Sequence, residues 1–88
     1  MKVDFGLDSI MMKKIETLAR LTMILNTSEK ETKAQIQIGH GRLILSVQRH
    51  CDYESFPLYT FQRPYRVMSY PELDEAIEQM NFYIKYAD

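Results

Sequence analysis

The stretch from Ala34 to Val47 constrains this chain more than any other. Ala34, Ile36 and Ile38 alternate with Gln35 and Gln37; after His40-Gly41, Leu43, Leu45 and Val47 alternate with Ile44, Ser46 and Gln48. A period of two is the signature of strands with one buried face. With His40 and Gly41 as turn residues, Gly39 pairs with Arg42, Ile38 with Leu43, Ile36 with Leu45 and Ala34 with Val47. Every apolar side chain then lands on one face, and a slip of one residue destroys the agreement. Gly41 suits the second position of a type I′ turn, whereas histidine is not the favoured first residue. The stretch reads as a β-hairpin.

A hairpin needs something to cover its apolar face, and the flanking segments supply it. Met11, Ile15, Leu18, Thr22 and Leu25 recur at steps of four and three, the stripe of an amphipathic helix. Asp8 or Ser9 can cap its start. Lys13, Glu16 and Arg20 fall opposite the stripe, Asn26-Thr27-Ser28 ends the helix, and Glu29 to Lys33 reads as a solvated connection. Met23 and Ile24 flank the polar face, packing beneath the 26–33 connection, against the second helix, or in an interface. Residues 50–57 read as a loop. Leu58 to Gln62 reads as a third strand ended by Pro64, with Tyr65 to Met68 continuing extended. Ser69-Tyr70-Pro71-Glu72 has capping-box spacing with Pro71 in the first turn. The second helix has the expected core stripe Leu73, Ile77, Met80 and Ile84. Val3 and Phe5 alternate around Asp4, as in a short added N-terminal edge strand.

The expected fold is therefore one α+β domain over residues 1–88, a two-layer α-β-β-β-α arrangement. A three-stranded antiparallel meander carries both helices on one face. Eighty-eight residues leave no room for a second core. Net stability should be modest, roughly 5 kcal/mol.

No apolar run approaches the roughly 20 residues that cross a bilayer, so no membrane partner is expected. The opening Met-Lys-Val-Asp-Phe-Gly lacks an apolar signal core, and Cys51 is the sole cysteine, so a cytoplasmic home is the default expectation. The net charge of −1 is unevenly spread. Residues 34–66 carry Arg42, Arg49, Arg63 and Arg66 against Asp52 and Glu54, while residues 67–88 carry five acids against Lys85. A dedicated nucleic-acid binder concentrates positive charge on one face, so binding of nucleic acid by the chain alone is not expected.

Catalytic and cofactor chemistry fares badly. His50-Cys51-Asp52 sets a thiol between a base and an acid, but sequence neighbours point in different directions. His40, His50 and Cys51 fall short of a four-ligand zinc site, and Gly39-His40-Gly41 is a hairpin turn rather than a phosphate loop. The chain is expected to be no enzyme and to need no metal or cofactor.

Two surfaces are candidates for binding. Glu75, Gln79, Phe82 and Tyr86 lie opposite the expected core stripe of the second helix. Phe82 and Tyr86 are one turn apart on what should be the wet side. Rings placed there call for a partner surface: another protein, a second copy in a homodimer, or the N-terminal strand folding back. Glu72, Asp74 and Glu78 add negative charge, completing a candidate face of Glu72, Asp74, Glu75, Glu78, Gln79, Phe82 and Tyr86. The second surface is the open side of the sheet: Gln35, Gln37, Arg42 and Ile44, with Ser46 and Gln48. Aromatic side chains from Tyr59, Phe61 or Tyr65 would make it a stacking platform for single-stranded nucleic acid; without them it is a polar solvent face.

The helix–three-strand–helix order resembles a double-stranded-RNA-binding domain from Ser9 to Ala87, with His40 at the turn where that family carries a histidine. The resemblance implies RNA contacts there and at a lysine-rich start of the last helix. Here that start is Pro71-Glu72-Leu73-Asp74-Glu75, which puts acids where phosphates would dock. In size, element order and surface character, with Ser69-Tyr70-Pro71-Glu72-Leu73 opening an acidic last helix, the chain also resembles small phage-encoded inhibitors of bacterial defence, anti-CRISPR proteins among them. That likeness implies occlusion: carboxylates engage basic residues of a larger host complex and cover its working surface.

Overall fold

A computed structural model describes residues 7–51 and 53–87, so the Val3/Phe5 edge strand lies outside the described residues. The elements follow in the order α1 (Ser9–Thr27), β1 (Thr32–Gly39), β2 (Arg42–Cys51), β3 (Glu54–Pro64), a 3-10 turn (Tyr65–Val67) and α2 (Tyr70–Tyr86). The strands form one antiparallel sheet in the order β1-β2-β3. The fold is the expected α+β meander with two helices.

Asp8 caps α1, its Oδ1 accepting the Met11 N–H at 2.8 Å. The buried residues of α1 are the expected Met11, Ile15, Leu18, Thr22 and Leu25. The first hairpin holds the expected register, with Gly39 opposite Arg42, Ile36 opposite Leu45 and Ala34 opposite Val47. His40 (φ 53°) and Gly41 (φ 76°) both occupy the left-handed region that a type I′ turn requires. Ala34, Leu43, Leu45, Val47 and Phe61 join the buried residues of both helices in one core, so both helices cover the same sheet face. That cover stops short of the turn, leaving Ile36 half-buried and Ile38 54% exposed.

Four local expectations need correction. Residues 50–57 are not a loop: β2 runs to Cys51, and β3 begins at Glu54 as the return arm of a second hairpin. Polar residues and Pro57 disguised this arm, but β3 is an edge strand, and there proline costs no ladder bond if its nitrogen faces outward. The irregularity at Val47/Gln48 absorbs one extra residue, Leu58. Second, the connection from Glu29 does not stay solvated to Lys33: Thr32 is buried and starts β1. Third, Tyr65 to Val67 form a 3-10 turn that buries Tyr65.

The fourth correction is to the phase of α2. Its buried residues are Leu73, Ala76 and Met80, while Ile77 and Ile84 are half-buried. The helix lies between α1 and β3, so its apolar arc is broad. Small Ala76 sits at its middle, and Tyr83 flanks it on the β3 side. The capping box forms as expected: Ser69 Oγ accepts the Glu72 N–H, and Glu72 Oε1 accepts the Ser69 N–H at 3.1 Å.

Candidate protein-binding face

The outer side of α2 follows from how its two ends are tied. Near the start, Glu72 Oε2 accepts a hydrogen bond from Arg63 Nε of β3 at 2.8 Å. Eleven residues on, Tyr83 Oη donates to the Leu58 carbonyl at 3.3 Å. From Arg63 back to Leu58 the strand covers about the same 16 Å that eleven residues cover in a helix. Helix α2 therefore runs antiparallel along the free edge of β3, and the residues facing outward beyond that contact are Glu75, Gln79, Phe82 and Tyr86.

Phe82 is 53% exposed and Tyr86 64% exposed. Their centroids lie 5.2 Å apart at an interplanar angle of 47°, and Phe82 meets Tyr83 edge-on at 5.6 Å. Lys85 Nζ lies 5.4 Å from the Tyr86 centroid. The three rings form a ledge in which Phe82 packs on both Tyr83 and Tyr86. Offset and edge-on contacts of this kind are the favoured ones between aromatic rings. Burial of Tyr83 raises its hydroxyl above the ordinary tyrosine value. It stays a neutral donor to Leu58 at neutral pH.

The expected acids do not form one cluster. Glu75 and Glu78 are exposed on the outer side beside the rings, and Gln79 is half-buried. Glu72 belongs to the internal scaffold: hydrogen bonds from Arg63 and then Ser69 hold its carboxyl below the usual glutamate range. Asp74 turns the other way and pairs with Lys14 of α1. The geometry thus brings Glu75, Glu78, Gln79, Phe82 and Tyr86 together and removes Glu72 and Asp74.

Two residues the sequence reading missed belong beside the ledge. Leu58 (41% exposed) is held against α2 by Tyr83, and Phe56 (47% exposed) lies two residues further along β3. Reading residues 50–57 as a loop concealed that a strand carries Phe56 to this side of the molecule. The available signal was Phe56-Pro57-Leu58-Tyr59 itself, an apolar run uncommon in a solvated loop.

The open sheet face lacks its expected aromatics. Phe61 and Tyr65 are buried in the core, and Tyr59 is half-buried against it with its hydroxyl raised by burial and then by Glu75. On the open side, β3 contributes Thr60 and Gln62 opposite Ser46 and Ile44. With Gln35, Gln37 and Arg42 exposed, this is a polar surface holding one half-buried isoleucine, Ile44. The basis for base stacking there is removed.

His50 and Cys51 are successive residues of β2 and so point to opposite sides. His50 Nδ1 shares a hydrogen bond with Ser55 Oγ at 2.8 Å on an exposed strand pair. Among the described residues no group of three or more His, Cys, Asp or Glu side chains is placed to hold a metal ion. No described helix is long and apolar enough to cross a membrane. No family model, curated protein or solved structure matches the chain; the likeness to double-stranded-RNA-binding domains rests on element order alone.

Proposed function

We propose that this chain is a non-catalytic protein-binding module whose aromatic ledge on α2 docks onto a larger host complex. The observation that carries the reading is the pair Phe82 and Tyr86, two packed rings left more than half exposed on a folded helix with Glu75 and Glu78 beside them. Rigid aromatics bury much area at small entropic cost, which is why they anchor interfaces. Flanking carboxylates select a basic partner surface and speed encounter with it more than they tighten it. A surface that binds nucleic acid is basic, so the function is occlusion of a nucleic-acid-processing complex, in the manner of anti-CRISPR-like inhibitors. Carboxylates on this ledge would repel phosphates, which sets the reading apart from direct nucleic-acid binding.

The test is capture of a host complex by immobilised protein, with and without nuclease treatment, comparing wild type with the Phe82→Ser, Tyr86→Ser double variant. The expected result is nuclease-resistant capture that the double variant loses. Salt-sensitive shifts of free DNA or RNA at about 150 mM salt, abolished by Arg42→Glu, would replace this reading with nucleic-acid binding by the open sheet face.

A further inference from the structure

The free edge of β1 is half closed, and the half left open is self-complementary. The Gly39–Arg42 pair closes a two-residue turn, and His50 N–H donates to the Glu31 carbonyl at 3.0 Å at the far end of the hairpin. The alternation between these points directs the backbone groups of Lys33, Gln35, Gln37 and Gly39 toward β2. Those of Ala34, Ile36 and Ile38 face away from the sheet. At Ala34 the outward groups are satisfied by a side chain. Asn26 Oδ1 accepts the Ala34 N–H at 2.8 Å, and Asn26 Nδ2 donates to the Ala34 carbonyl at 2.7 Å. The amide of Asn26 takes the place of a fourth strand at that one position. Among the described residues nothing bonds to the outward N–H and C=O groups of Ile36 and Ile38.

An unpaired edge with apolar side chains is a template for another strand, and three observations identify that strand as β1 of a second copy. First, Ile36-Gln37-Ile38 reads the same in both directions. A two-fold axis through Gln37 sets Ile36 of each copy opposite Ile38 of the other and forms four N–H···O=C bonds. Shifting the register by two in one direction brings Ala34, already bonded to Asn26, into the pair. Shifting it in the other brings in His40, whose φ of 53° belongs to the turn. Only the register about Gln37 gives every open group of Ile36 and Ile38 an open partner. Second, the same pairing covers Ile38, which the helices of its own chain leave 54% exposed. Third, Met12, Ala19, Met23 and Asn26 recur at steps of seven, four and three along one side of α1, the side that Asn26 turns toward this edge. Met23 is 67% and Met12 40% exposed there. The charge nearest the edge, Lys33, is drawn back onto the carbonyls of Ser28 and Asn26.

We infer that the chain forms a two-fold dimer through antiparallel pairing of β1 about Gln37, giving a continuous six-stranded sheet with four helices on one face. Two strands at about 4.8 Å spacing span the distance at which neighbouring helices pack, roughly 10 Å, so the two α1 helices meet side by side over the new seam. Ala19, small and on the facing side, permits that approach. The α2 ledges lie beyond the opposite edges and stay free, so the dimer offers two binding faces. This dimer does not depend on the role of α2, and the two readings fail separately.

The test is sedimentation equilibrium over roughly 1–200 µM, the range of a weak to moderate dimer, with amide hydrogen exchange at both ends of the series. Expected are a monomer–dimer equilibrium in the wild type, at least ~10-fold weaker dimerisation in Ile38→Lys, and wild-type dimerisation in Phe82→Ser, Tyr86→Ser. Exchange at the Ile36 and Ile38 amides should slow as dimer forms. Met23→Glu, on the exposed helix flank, is the second variant should Ile38→Lys fail to fold, and it carries the same expectation. A wild type monomeric throughout overturns the inference, as does a dimer indifferent to both edge variants. Protection of the two amides in the monomer also overturns it, since a segment of the same chain would then occupy the edge.

Discussion

The two free edges of this sheet are finished in opposite ways. At β3 the outward positions include Pro57 and Pro64, which have no N–H to offer; the strand carries an irregularity opposite Val47/Gln48, and the Leu58 carbonyl is taken by Tyr83. Helix α2 lies along that edge and presents its acids and rings beyond it. At β1 one asparagine closes one position; beyond it the strand carries Ile36 and Ile38 on the helix side and Gln35 and Gln37 on the open side, with no charged side chain. An edge interrupted by two prolines and an irregularity and flanked by a helix leaves only Thr60 and Gln62 between the interruptions, too short a run to extend the sheet well, so recognition there passes to side chains on the helix. An edge closed at one residue can extend the sheet, and only in the register that residue allows. Exposed apolar surface has a different meaning on the two sides.

The largest expected effect tests what both sides share. Leu45 is fully buried in the central strand between them. Leu45→Ala should cost roughly 2–5 kcal/mol by chemical denaturation and weaken every binding property with the fold. Met80→Ala should behave likewise, whereas Ile77→Ala, half-buried, should cost less than either. Equal costs at Ile77 and Met80 would restore the helical phase expected from the sequence.

Next comes the asparagine. Asn26→Ala removes two hydrogen bonds to Ala34, worth about 0.5–1.5 kcal/mol each, and regains a few tenths in helix propensity. The expected net loss is about 1–2 kcal/mol. Self-association should meanwhile rise, because a third outward residue becomes available for pairing. A destabilised variant that associates less than wild type would contradict the role assigned to Asn26.

A smaller effect reports on the β3 side. Glu72 is held below its ordinary value by Arg63 and Ser69, so its folded form stabilises the protein above the unfolded value near pH ~4.3. That contribution disappears as pH falls through the folded value. Glu72→Gln keeps one oxygen for the Ser69 N–H but removes both the charge and the acceptor to which Arg63 donates. Its thermal midpoint should lie slightly below wild type at neutral pH, and the gap should close below about pH 4. A gap constant across the acid range would show that geometry rather than charge is what Glu72 supplies.

These contrasts also explain what was legible in the sequence. The α1 stripe and the first hairpin could be read because the buried positions, Thr22 and Thr32 apart, are apolar and each element keeps one period, and the turn carries Gly41. The second hairpin could not, since Pro57 and the polar Asp52–Ser55 stretch signal a loop unless the strand is known to lie at an edge. The phase of α2 shifted because Ala76, unremarkable by composition, is buried where the helix contacts its neighbours, while larger Ile77 sits to the side. Phe82 and Tyr86 were placed outward correctly even so, being far enough from either version of the core. Which acids accompany them could not be read, because Arg63 and Lys14, distant in sequence, claim Glu72 and Asp74.

The smallest expected change in stability belongs to the residues given the largest functional role, and measuring both quantities on one variant tests the account most directly. In Phe82→Ser, Tyr86→Ser the rings lose an exposed one-turn contact worth only about 0.2–0.5 kcal/mol. The thermal midpoint should therefore stay within a few degrees of wild type, roughly the shift that 0.5 kcal/mol produces in a domain of this size. Binding to the captured host complex, followed by calorimetry or interferometry, should weaken at least ~10-fold. A variant that holds its midpoint and binds as wild type does would contradict the assignment of the α2 ledge as the docking face; one that unfolds would contradict the exposure on which that assignment rests.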